Sequence, residues 1–260
     1  MNIQADPEWW KTMFDEVYLL TDARSVGNDE ITRREVDLIC ELVPMDPGDR
    51  ILDLCGGHGR HSLELYARGF KKCILLDYSE YLLAHARARA LDEGRPIAII
   101  RADAANTGLR SGGIDHALIL GNSLGYHHDP ETDMRILAEC RRVLAPSGRL
   151  LLDIADAEAV RERFTPEAWH EGEAGIVVCR RRAMRENTVF VRELVLSKGA
   201  GLIRDRTYSI RVYESSEIAR MLDLAGFGEV RIIKDFSSHG TPGDYGFMSC
   251  RMVAVGRKES

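Results

Sequence analysis

The stretch of sequence that decides the fold is LDLCGGHGRH, residues Leu52 to His61, in which three glycines and two histidines fall within ten residues. An apolar run leads into it and a helical pattern follows it. Between a strand and a helix, small residues let backbone N–H groups and the helix N-terminus approach a ligand closely. A glycine-rich string alone is weak evidence, so the flanking sequence has to identify the ligand.

Short apolar runs alternate with helical patterns on both sides of this loop. Strands are predicted at residues 50–54, 73–76, 97–100, 114–120 and 150–154, and helices at residues 59–68, 80–93 and 130–144. A further helix at 215–225 and two closing strands at 230–234 and 247–255 bring the number of strands in this pattern to seven. Continuously apolar strands between helices indicate a parallel sheet that is covered on both faces. The fold class is therefore α/β, a doubly wound, Rossmann-like, mostly parallel sheet of seven strands.

Two regions depart from this alternation. Residues 7–20 predict one helix in an N-terminal helical cap, residues 1–45. Residues 175–184, 188–196 and 202–213 predict three antiparallel strands, a β-meander. Because strands and helices resume after the meander, we expect a single domain, residues 1–260, with a Rossmann-like core at 46–157 and 214–260 and an inserted antiparallel lid at 158–213.

An acidic residue at the end of the second predicted strand narrows the choice of ligand. Asp77 can accept hydrogen bonds from both hydroxyls of a ribose, which indicates an adenosine-containing ligand. A dinucleotide site calls for G-x-G-x-x-G, but Ser62 stands where the third glycine would be. An adenosyl ligand without a pyrophosphate is therefore favoured over a nicotinamide cofactor.

Four segments in order resemble the class I S-adenosylmethionine-dependent methyltransferases, especially small-molecule methyltransferases with a β-meander lid. They are DLCGGHGRH at 53–61, DYS at 77–79, RADA at 101–104 and LAPSGRLLL at 144–152. One departure is Cys55, which stands at the first glycine of the family's D-x-G-x-G-x-G string.

The resemblance implies S-adenosyl-L-methionine as cofactor and S-adenosyl-L-homocysteine as product, and it assigns roles to individual residues. The residues expected to bind the cofactor are Tyr18, Asp53, Cys55, Gly57, Gly59, Asp77, Tyr78, Asp103, Ala104 and Asn122. By the same resemblance Ser123 would face the methyl acceptor, and Tyr126 is a further candidate beside it. Arg211 and Tyr213 are expected to contact the acceptor for another reason: they alternate to one face at the end of the predicted meander, which we expect to lie over the reacting centre. Asn122 and His127 are the candidate catalytic residues, with His127 as a general base if the acceptor arrives protonated.

Other groups of polar residues have plainer interpretations. No third ligand cluster accompanies His58 and His61 or His127 and His128, so we expect no metal site. The basic run of Arg180, Arg181, Arg182 and Arg185 is interpreted as a solvated strand face. The aromatic residues Trp9, Trp10 and Phe14 fit a core role better than a cover over the active site.

Bulk composition limits the classes of function. The chain has 260 residues, 45% of them hydrophobic, and a net charge of −6 without a basic tail, so we expect no binding to nucleic acid. The six cysteines form no C-x-x-C pair, and no apolar run of membrane-spanning length or signal-like N-terminus is visible. We expect a cytoplasmic protein that does not associate with membranes, and a homodimer remains open.

We therefore expect an enzyme that transfers a methyl group from S-adenosylmethionine to an N or O nucleophile of a small molecule by in-line displacement. The alternatives left open are methyl transfer to a macromolecule such as tRNA, a peptide or a protein, and a module that binds adenosylmethionine without catalysis. A nicotinamide-dependent oxidoreductase is the competing enzyme class, and the missing third glycine argues against it.

Overall fold

The computed structural model describes residues 3–21, 27–172, 175–236, 249 and 251–259, which form two β-sheets with helices. The strands of this part of the chain are β1 Arg50–Leu54, β2 Lys72–Asp77, β3 Ala98–Arg101, β4 Ile114–Ile119, β5 Leu144–Ala155, β6 Glu167–Glu171, β7 Ile176–Arg185, β8 Thr188–Ser197, β9 Gly201–Arg211, β10 Phe227–Phe236 and β11 Arg251–Lys258. The helices are α1 Trp10–Met13, α2 Glu16–Thr21, α3 Asp29–Leu42, α4 Arg60–Ala67, α5 Glu80–Asp92, α6 Glu131–Val143, α7 Ala157–Glu162 and α8 Ser215–Leu224.

The central sheet has seven strands in the order β10-β11-β5-β4-β1-β2-β3. The pairs among β1 to β5 are parallel, whereas β11 runs antiparallel to both of its neighbours. This confirms the predicted mostly parallel, seven-stranded α/β fold. The strand order reverses between β1 and β4, and open α/β sheets place their ligands outside the carboxyl ends of the strands at such a point.

Helices bury both faces of the central sheet, as its continuously apolar strands predict. Alternate strand residues such as Leu52 and Leu54 pack on one face with Leu137 of α6 and Leu222 of α8. Their neighbours pack on the other face, where Val36 of α3 lies in the same cluster as strand residues. The central strands β1 and β4 are almost entirely buried, so the carboxyl edge of the sheet is left to form a site.

The N-terminal segment forms two short helices where one helix was predicted. Helix α1 ends at Met13, and Phe14 leaves the helical region with φ −90° and ψ 72°. The Asp15 carboxylate then accepts hydrogen bonds from the backbone N–H groups of Val17 (2.9 Å) and Tyr18 (3.3 Å). Since such a cap starts a new helix, Asp15 divides the predicted helix into two.

A second, four-stranded antiparallel sheet, which we call the second sheet, consists of β6 to β9 in chain order. The sequence predicts three of these strands, and β6 was missed because its residues Glu167–Glu171, EAWHE, show no alternation of apolar and polar side chains. The inner face of the second sheet packs on α1 through a cluster that contains Trp9, Val191 and Tyr208. The second sheet and the N-terminal helices thus lie together over one edge of the central sheet.

None of the helices in the described ranges is long and apolar enough to cross a membrane.

Candidate active site

A cavity lies at the carboxyl edge of the central sheet, bounded by the glycine loop, α1, α2 and the second sheet. Most of the residues predicted for the site line it: Tyr18, Cys55, Gly57, Asp77, Tyr78, Asp103, Ala104, Asn122, Ser123, Tyr126 and His127. Four predicted residues do not line it: Asp53, Gly59, Arg211 and Tyr213.

The glycine loop reverses direction through a series of left-handed residues. Cys55 has φ 60°, Gly57 has φ 59° and Gly59 has φ 76°. Gly56 is required for another reason, because a Cβ there would lie 2.5 Å from Asp53 Cγ and from Leu75 Cδ1. The loop therefore packs against its own strands and presents backbone to the cavity. The sequence prediction omitted Gly56, although it is part of the same string.

Asp77 ends β2 with its carboxylate at the cavity and fixed by the backbone. Gly57 N–H donates to one oxygen (2.9 Å), and Ser79 N–H donates to the other (2.8 Å). Burial raises the pKa of Asp77, and these two hydrogen bonds oppose the rise. Each oxygen keeps a second lone pair, so this carboxylate is oriented to accept further hydrogen bonds from a ligand.

Asp53 and Gly59 support the loop from behind. Asp53 is 1% exposed and accepts a hydrogen bond from Ser62 Oγ (2.7 Å). Gly59 precedes the first residue of α4, where a Cβ would lie 2.9 Å from Leu75 Cδ2. The prediction that these two residues lie around the ligand is corrected: both shape the loop, and neither lines the cavity.

The far end of the cavity, next to β2 and β3, is bordered by Tyr78, Asp103 and Ala104. Trp10 packs edge-on against Tyr78, with ring centroids 4.9 Å apart. Asp103 accepts a hydrogen bond from Ala105 N–H (2.8 Å), so its carboxylate orders the turn as well as facing the cavity. A flat ligand can lie between these groups, with a carboxylate at its edge.

Asn122 lies at the carboxyl end of β4 in a left-handed conformation with φ 65°. Its backbone N–H donates to the Asp153 carbonyl (2.9 Å), and its side-chain Oδ1 accepts from Ala155 N–H (2.8 Å). Because Oδ1 is used to hold β5, the amide NH₂ group is the donor that this side chain offers to the cavity. Ser123 donates to the Leu120 carbonyl (2.9 Å), so both residues keep the strand end in shape.

His127 faces the cavity within an aromatic group. Its ring lies 4.6 Å from that of Trp10, centroid to centroid. Burial lowers the pKa of His127 below its usual value, and the nearby Asp133 and Asp103 carboxylates oppose that shift. The imidazole is therefore neutral near neutral pH and able to accept a proton.

Cys55 is not a nucleophile in this site. Burial, reinforced by the nearby Asp77 carboxylate, raises the pKa of its thiol well above the usual value. A thiol that stays protonated is a poor nucleophile, so Cys55 contributes shape rather than reactivity.

A buried ionic group supports the glycine loop and the ends of β4 and β5, and we call it the core network: Glu35, Arg60, His61, Asp153 and Arg251. Arg251, 1% exposed, donates to Glu35 Oε1 (2.8 Å) and to both oxygens of Asp153 (2.5 Å for the Nε–Oδ1 pair). The other oxygen of Glu35 accepts from His61 Nε2 (2.9 Å) and pairs with Arg60. Asp153 Oδ2 also accepts from Gly121 N–H (3.0 Å), so the network reaches the strand end beside Asn122.

The core network was not predicted, because Glu35, Asp153 and Arg251 are far in sequence from the glycine string that contains Arg60 and His61. Burial, with the charge of Arg60, lowers the pKa of His61. Among the described residues, no group of three or more His, Cys, Asp or Glu side chains could hold a metal ion.

Arg211 and Tyr213 do not contact the cavity, which corrects their predicted role in binding the acceptor. Both side chains bind the buried Asp133 carboxylate of α6, and Arg211 also donates to the carbonyls of His127 (3.2 Å) and His128 (2.9 Å). The two side chains lie on the same side at the end of the second sheet, as their alternation predicts, but that side meets Asp133 of α6. They hold the loop that carries His127.

Other residues of the second sheet line the cavity instead: Arg180 and Arg182 of β7, Glu193 of β8, and Tyr208 and Ile210 of β9. Arg180 is 8% exposed and donates to Glu193 Oε2 (2.8 Å), so the interpretation of its basic run as a solvated face is wrong at this position. We call Arg180, Glu193 and Arg204, all three buried, the second-sheet network. Opposite charges at paired positions of adjacent strands, Arg180 and Glu193, were the available signal.

Comparison with known proteins identifies the fold. Residues 51–148 match a family model described as "Methyltransferase domain". The "Ubiquinone/menaquinone biosynthesis C-methyltransferase UbiE" of Acidiphilium cryptum (strain JF-5) is 31% identical over 169 residues, 60% of this chain. This chain spans 64% of that relative's own length, less than two thirds.

Solved structures of low sequence identity share the fold over most of their length. An S-adenosylmethionine-dependent methyltransferase of Clostridium acetobutylicum has a TM-score of 0.73 at 15% identity, with 94% of this chain and 97% of that chain covered. S-adenosylmethionine-bound CalS10, an amino pentose methyltransferase of Micromonospora echinaspora, has a TM-score of 0.67 at 20% identity, with 94% and 97% covered. At such identities these structures bear on the fold alone.

The matched domain begins at the strand that leads into the glycine loop and ends after α6, and it includes Asp77 and Asp103. The sheet order, the cavity at its carboxyl edge and the methyltransferase domain agree with the four sequence segments described first. Residues 51–148 of this chain therefore form a methyltransferase domain.

Proposed function

We propose that this chain binds S-adenosylmethionine in the cavity and transfers its methyl group to an N or O nucleophile of a small molecule. The observation that carries the proposal is the Asp77 carboxylate, fixed by two backbone N–H groups where the glycine loop meets the cavity. A carboxylate in this position after the second strand suits the two hydroxyls of a ribose.

The residues at the core side of the cavity fit an adenosyl cofactor. Gly56 packs against Asp53 and Leu75, so the loop can present its backbone to the cavity, and Asp77 offers lone pairs beside it. Tyr78, Asp103 and Ala104 would border the adenine, and Cys55 and Asn122 the methionine portion. When bound, the cofactor supplies an electrophilic methyl group on a sulfonium.

The role of the chain is to position the two reactants and exclude water rather than to form a covalent intermediate. The aromatic rings of Trp10, Phe14 and Tyr18 close the cavity on the side of the N-terminal helices. Tyr18 and Phe14 pack edge-on with centroids 5.0 Å apart, which holds the Tyr18 ring at the cavity. A cation near such a ring gains about 0.5–2 kcal/mol, a suitable environment for a sulfonium.

We infer that the acceptor meets the methyl group near Asn122, Ser123, Tyr126 and His127. The amide NH₂ of Asn122 would donate to the acceptor, and Ser123 and Tyr126 would shape its pocket. His127 is neutral near neutral pH, because burial lowers its pKa, so it would accept the proton of an acceptor that arrives protonated.

We further propose that the second sheet serves as a lid inserted in a single domain. Its inner face covers the cavity, and its ends are tied to the core by the Ala157 N–H to Tyr213 carbonyl bond (2.9 Å) and the Arg211 N–H to Gly125 carbonyl bond (2.8 Å). The name of the relative from Acidiphilium cryptum refers to quinone biosynthesis, which supports a small-molecule acceptor.

Calorimetry with S-adenosylmethionine tests the cofactor assignment. Wild type should bind, and Asp77→Asn and Asp77→Ala should weaken binding about 10- to 150-fold, the scale of lost hydrogen bonds to a charged acceptor. Asp92→Ala, at an exposed position on α5, is the matched control and should bind as wild type does.

Two results would overturn the proposal: no binding to folded wild type, or equal binding to wild type and both Asp77 variants. A nicotinamide dinucleotide that binds in place of S-adenosylmethionine, with a change in its fluorescence, would move the protein to the oxidoreductase class.

A further inference from the structure

The wall that the second sheet presents to the cavity contains a carboxylate with an unused oxygen. Glu193 is 1% exposed and lines the cavity. Its Oε2 accepts a hydrogen bond from Arg180 Nε (2.8 Å), whereas its Oε1 has no hydrogen-bond partner within the described residues. A buried acceptor without a partner costs about 1–3 kcal/mol, so a position of this kind calls for a ligand or a functional explanation.

The surroundings of Glu193 determine which ligand groups its free oxygen favours. Arg204 Nη1 lies 3.6 Å from Oε1, too far for a hydrogen bond but close enough to offset charge. With Arg180 on the other oxygen, two guanidinium groups flank one carboxylate. The free oxygen therefore acts as a hydrogen-bond acceptor for an uncharged O–H or N–H group rather than as a counter-ion for a cation.

A second buried polar atom on the same cavity lacks a partner. Trp9 is 6% exposed and lines the cavity, and its Nε1–H finds no acceptor within the described residues. Its ring packs against Tyr126 (4.9 Å) and Tyr208 (5.4 Å), and Tyr208 pairs with Val191, two residues before Glu193 on β8. A donor and an acceptor are thus both unused in a wall made of flat aromatic rings.

We propose that Glu193 and Trp9 form the specificity subsite for the methyl acceptor, and that the acceptor is a small cyclic molecule with uncharged hydroxyl or amino groups. Glu193 Oε1 accepts from an O–H or N–H of the acceptor, and Trp9 Nε1–H donates to an oxygen or nitrogen of it. The ring body packs on the aromatic side chains. This inference rests on the proposed function and adds the class of substrate to it.

Fragment binding tests the subsite without knowledge of the natural acceptor. The probes are cyclohexanol, cyclohexanone, cyclohexylamine and cyclohexanecarboxylate, titrated by NMR near neutral pH into the full chain saturated with S-adenosylhomocysteine. We expect cyclohexanol to bind about tenfold tighter than cyclohexanone, which lacks a donor, and tighter than either charged probe.

Two variants connect this preference to the named atoms. In Glu193→Gln the amide oxygen can stay on Arg180, so an NH₂ donor takes the place of the unused acceptor oxygen. We expect the advantage of cyclohexanol over cyclohexanone to disappear, while the Kd of S-adenosylhomocysteine changes less than about twofold. Trp9→Phe keeps a ring but removes the N–H, and it should weaken both cyclohexanol and cyclohexanone.

The outcomes separate this inference from the proposed function. The subsite is overturned if cyclohexanone binds as tightly as cyclohexanol, or if a charged probe binds most tightly. This holds even when S-adenosylhomocysteine binds normally. A large loss of S-adenosylhomocysteine affinity in Glu193→Gln also overturns it, since Glu193 then serves the cofactor. Failure of wild type to bind S-adenosylhomocysteine overturns the proposed function, and the probes then test the subsite on the free protein. If Glu193→Gln does not fold, the probe affinities of wild type and of Trp9→Phe test the subsite.

Discussion

The core network and the second-sheet network are both buried and both border the cavity, but they differ in how completely their carboxylates are paired. In the core network every oxygen of Glu35 and Asp153 has a partner. In the second-sheet network Glu193 keeps one oxygen without a hydrogen bond within the described residues.

This difference distinguishes charged groups that only stabilise the fold, in the core network, from a charged group that can still bind a ligand, Glu193. A buried polar network whose members are all satisfied makes its surroundings rigid, whereas one with an open position is stabilised by whatever fills it. The core network sits under backbone that would hold a cofactor common to the whole family. The second-sheet network faces the side where the acceptor of this particular chain would bind.

The largest effect is expected from Arg251→Met, which removes the cation shared by Glu35 and Asp153. Breaking a buried pair by removing one partner typically costs about 3–5 kcal/mol, because the remaining carboxylates stay buried. Urea denaturation should show a loss of that size in the free energy of unfolding. Arg257→Met is the control, since Arg257 lies at the surface in a pair with Glu229, and it should cost about 0–1 kcal/mol. Equal losses in the two variants would mean that the core network has no special role.

The next largest effect concerns His127 and the rate of methyl transfer. If His127 accepts the acceptor's proton, His127→Gln should lower turnover about 100-fold or more, with S-adenosylhomocysteine affinity nearly unchanged. Wild-type turnover should fall as the pH drops through the His127 pKa, which burial places below its usual value, and the variant should lose this fall. The exposed neighbour His128 provides the control, His128→Gln, and an equal effect there would remove His127 from the mechanism.

A smaller effect, on the order of 1 kcal/mol in the free energy of unfolding, is expected when acid protonates groups of the core network. Burial lowers the pKa of His61, so the folded state keeps this ring neutral while the unfolded state takes up a proton below about pH 6.5. Burial acts to raise the pKa of Glu35, but Arg60, His61 and Arg251 together lower it well below its usual value. Both contributions are present above the unfolded-state pKa and are lost as the pH falls toward the folded-state pKa.

Urea denaturation at a series of pH values measures this effect. The free energy of unfolding should begin to fall below about pH 6.5, and His61→Gln should reduce the slope in that first window. His85→Gln, at an exposed position on α5, should leave the slope intact. An unchanged slope in His61→Gln would show that acid acts elsewhere.

The smallest effect is expected at Cys55, where a residue with a side chain has φ 60° in place of the family's glycine. Left-handed backbone costs an L-residue about 1–2 kcal/mol, which Cys55→Gly relieves, but a glycine also loses about 0.5–1 kcal/mol through its freer unfolded state. The free energy of unfolding should therefore stay within about 1 kcal/mol of wild type, with normal S-adenosylhomocysteine binding. Cys55→Val, which is β-branched, should be less stable than both. A severe loss in Cys55→Gly would show that the thiol itself is needed.

The central sheet could be predicted from sequence because its signals are local. Strand β1 was predicted with its observed bounds, and apolar runs predicted β2, β3 and β4 to within one residue at each end. Strand β5 begins at Leu144, six residues before its predicted start. Strand β6 and the break at Asp15 were missed, since an edge strand with charged residues and a side-chain cap leave no periodic signal.

The core side of the candidate site could also be predicted from the sequence, because it depends on backbone geometry that the glycines and Asp77, at the end of a strand, indicate. The acceptor side could not be predicted in this way. Arg211 and Tyr213 were assigned to it from alternation alone, whereas Glu193 was overlooked, because which end of a strand meets the cavity depends on packing between sheets. The core network could not be predicted for the same reason, because the residues that pair with Arg251 come together only in the folded chain.

The most direct test of this division between the two networks is a crystal structure of the protein with S-adenosylhomocysteine. We expect the ribose hydroxyls within hydrogen-bond distance of the Asp77 carboxylate, and Glu193 Oε1 left without a contact to the ligand, open for an acceptor. A ligand that contacts Glu193, or a ribose bound away from Asp77, would contradict the account.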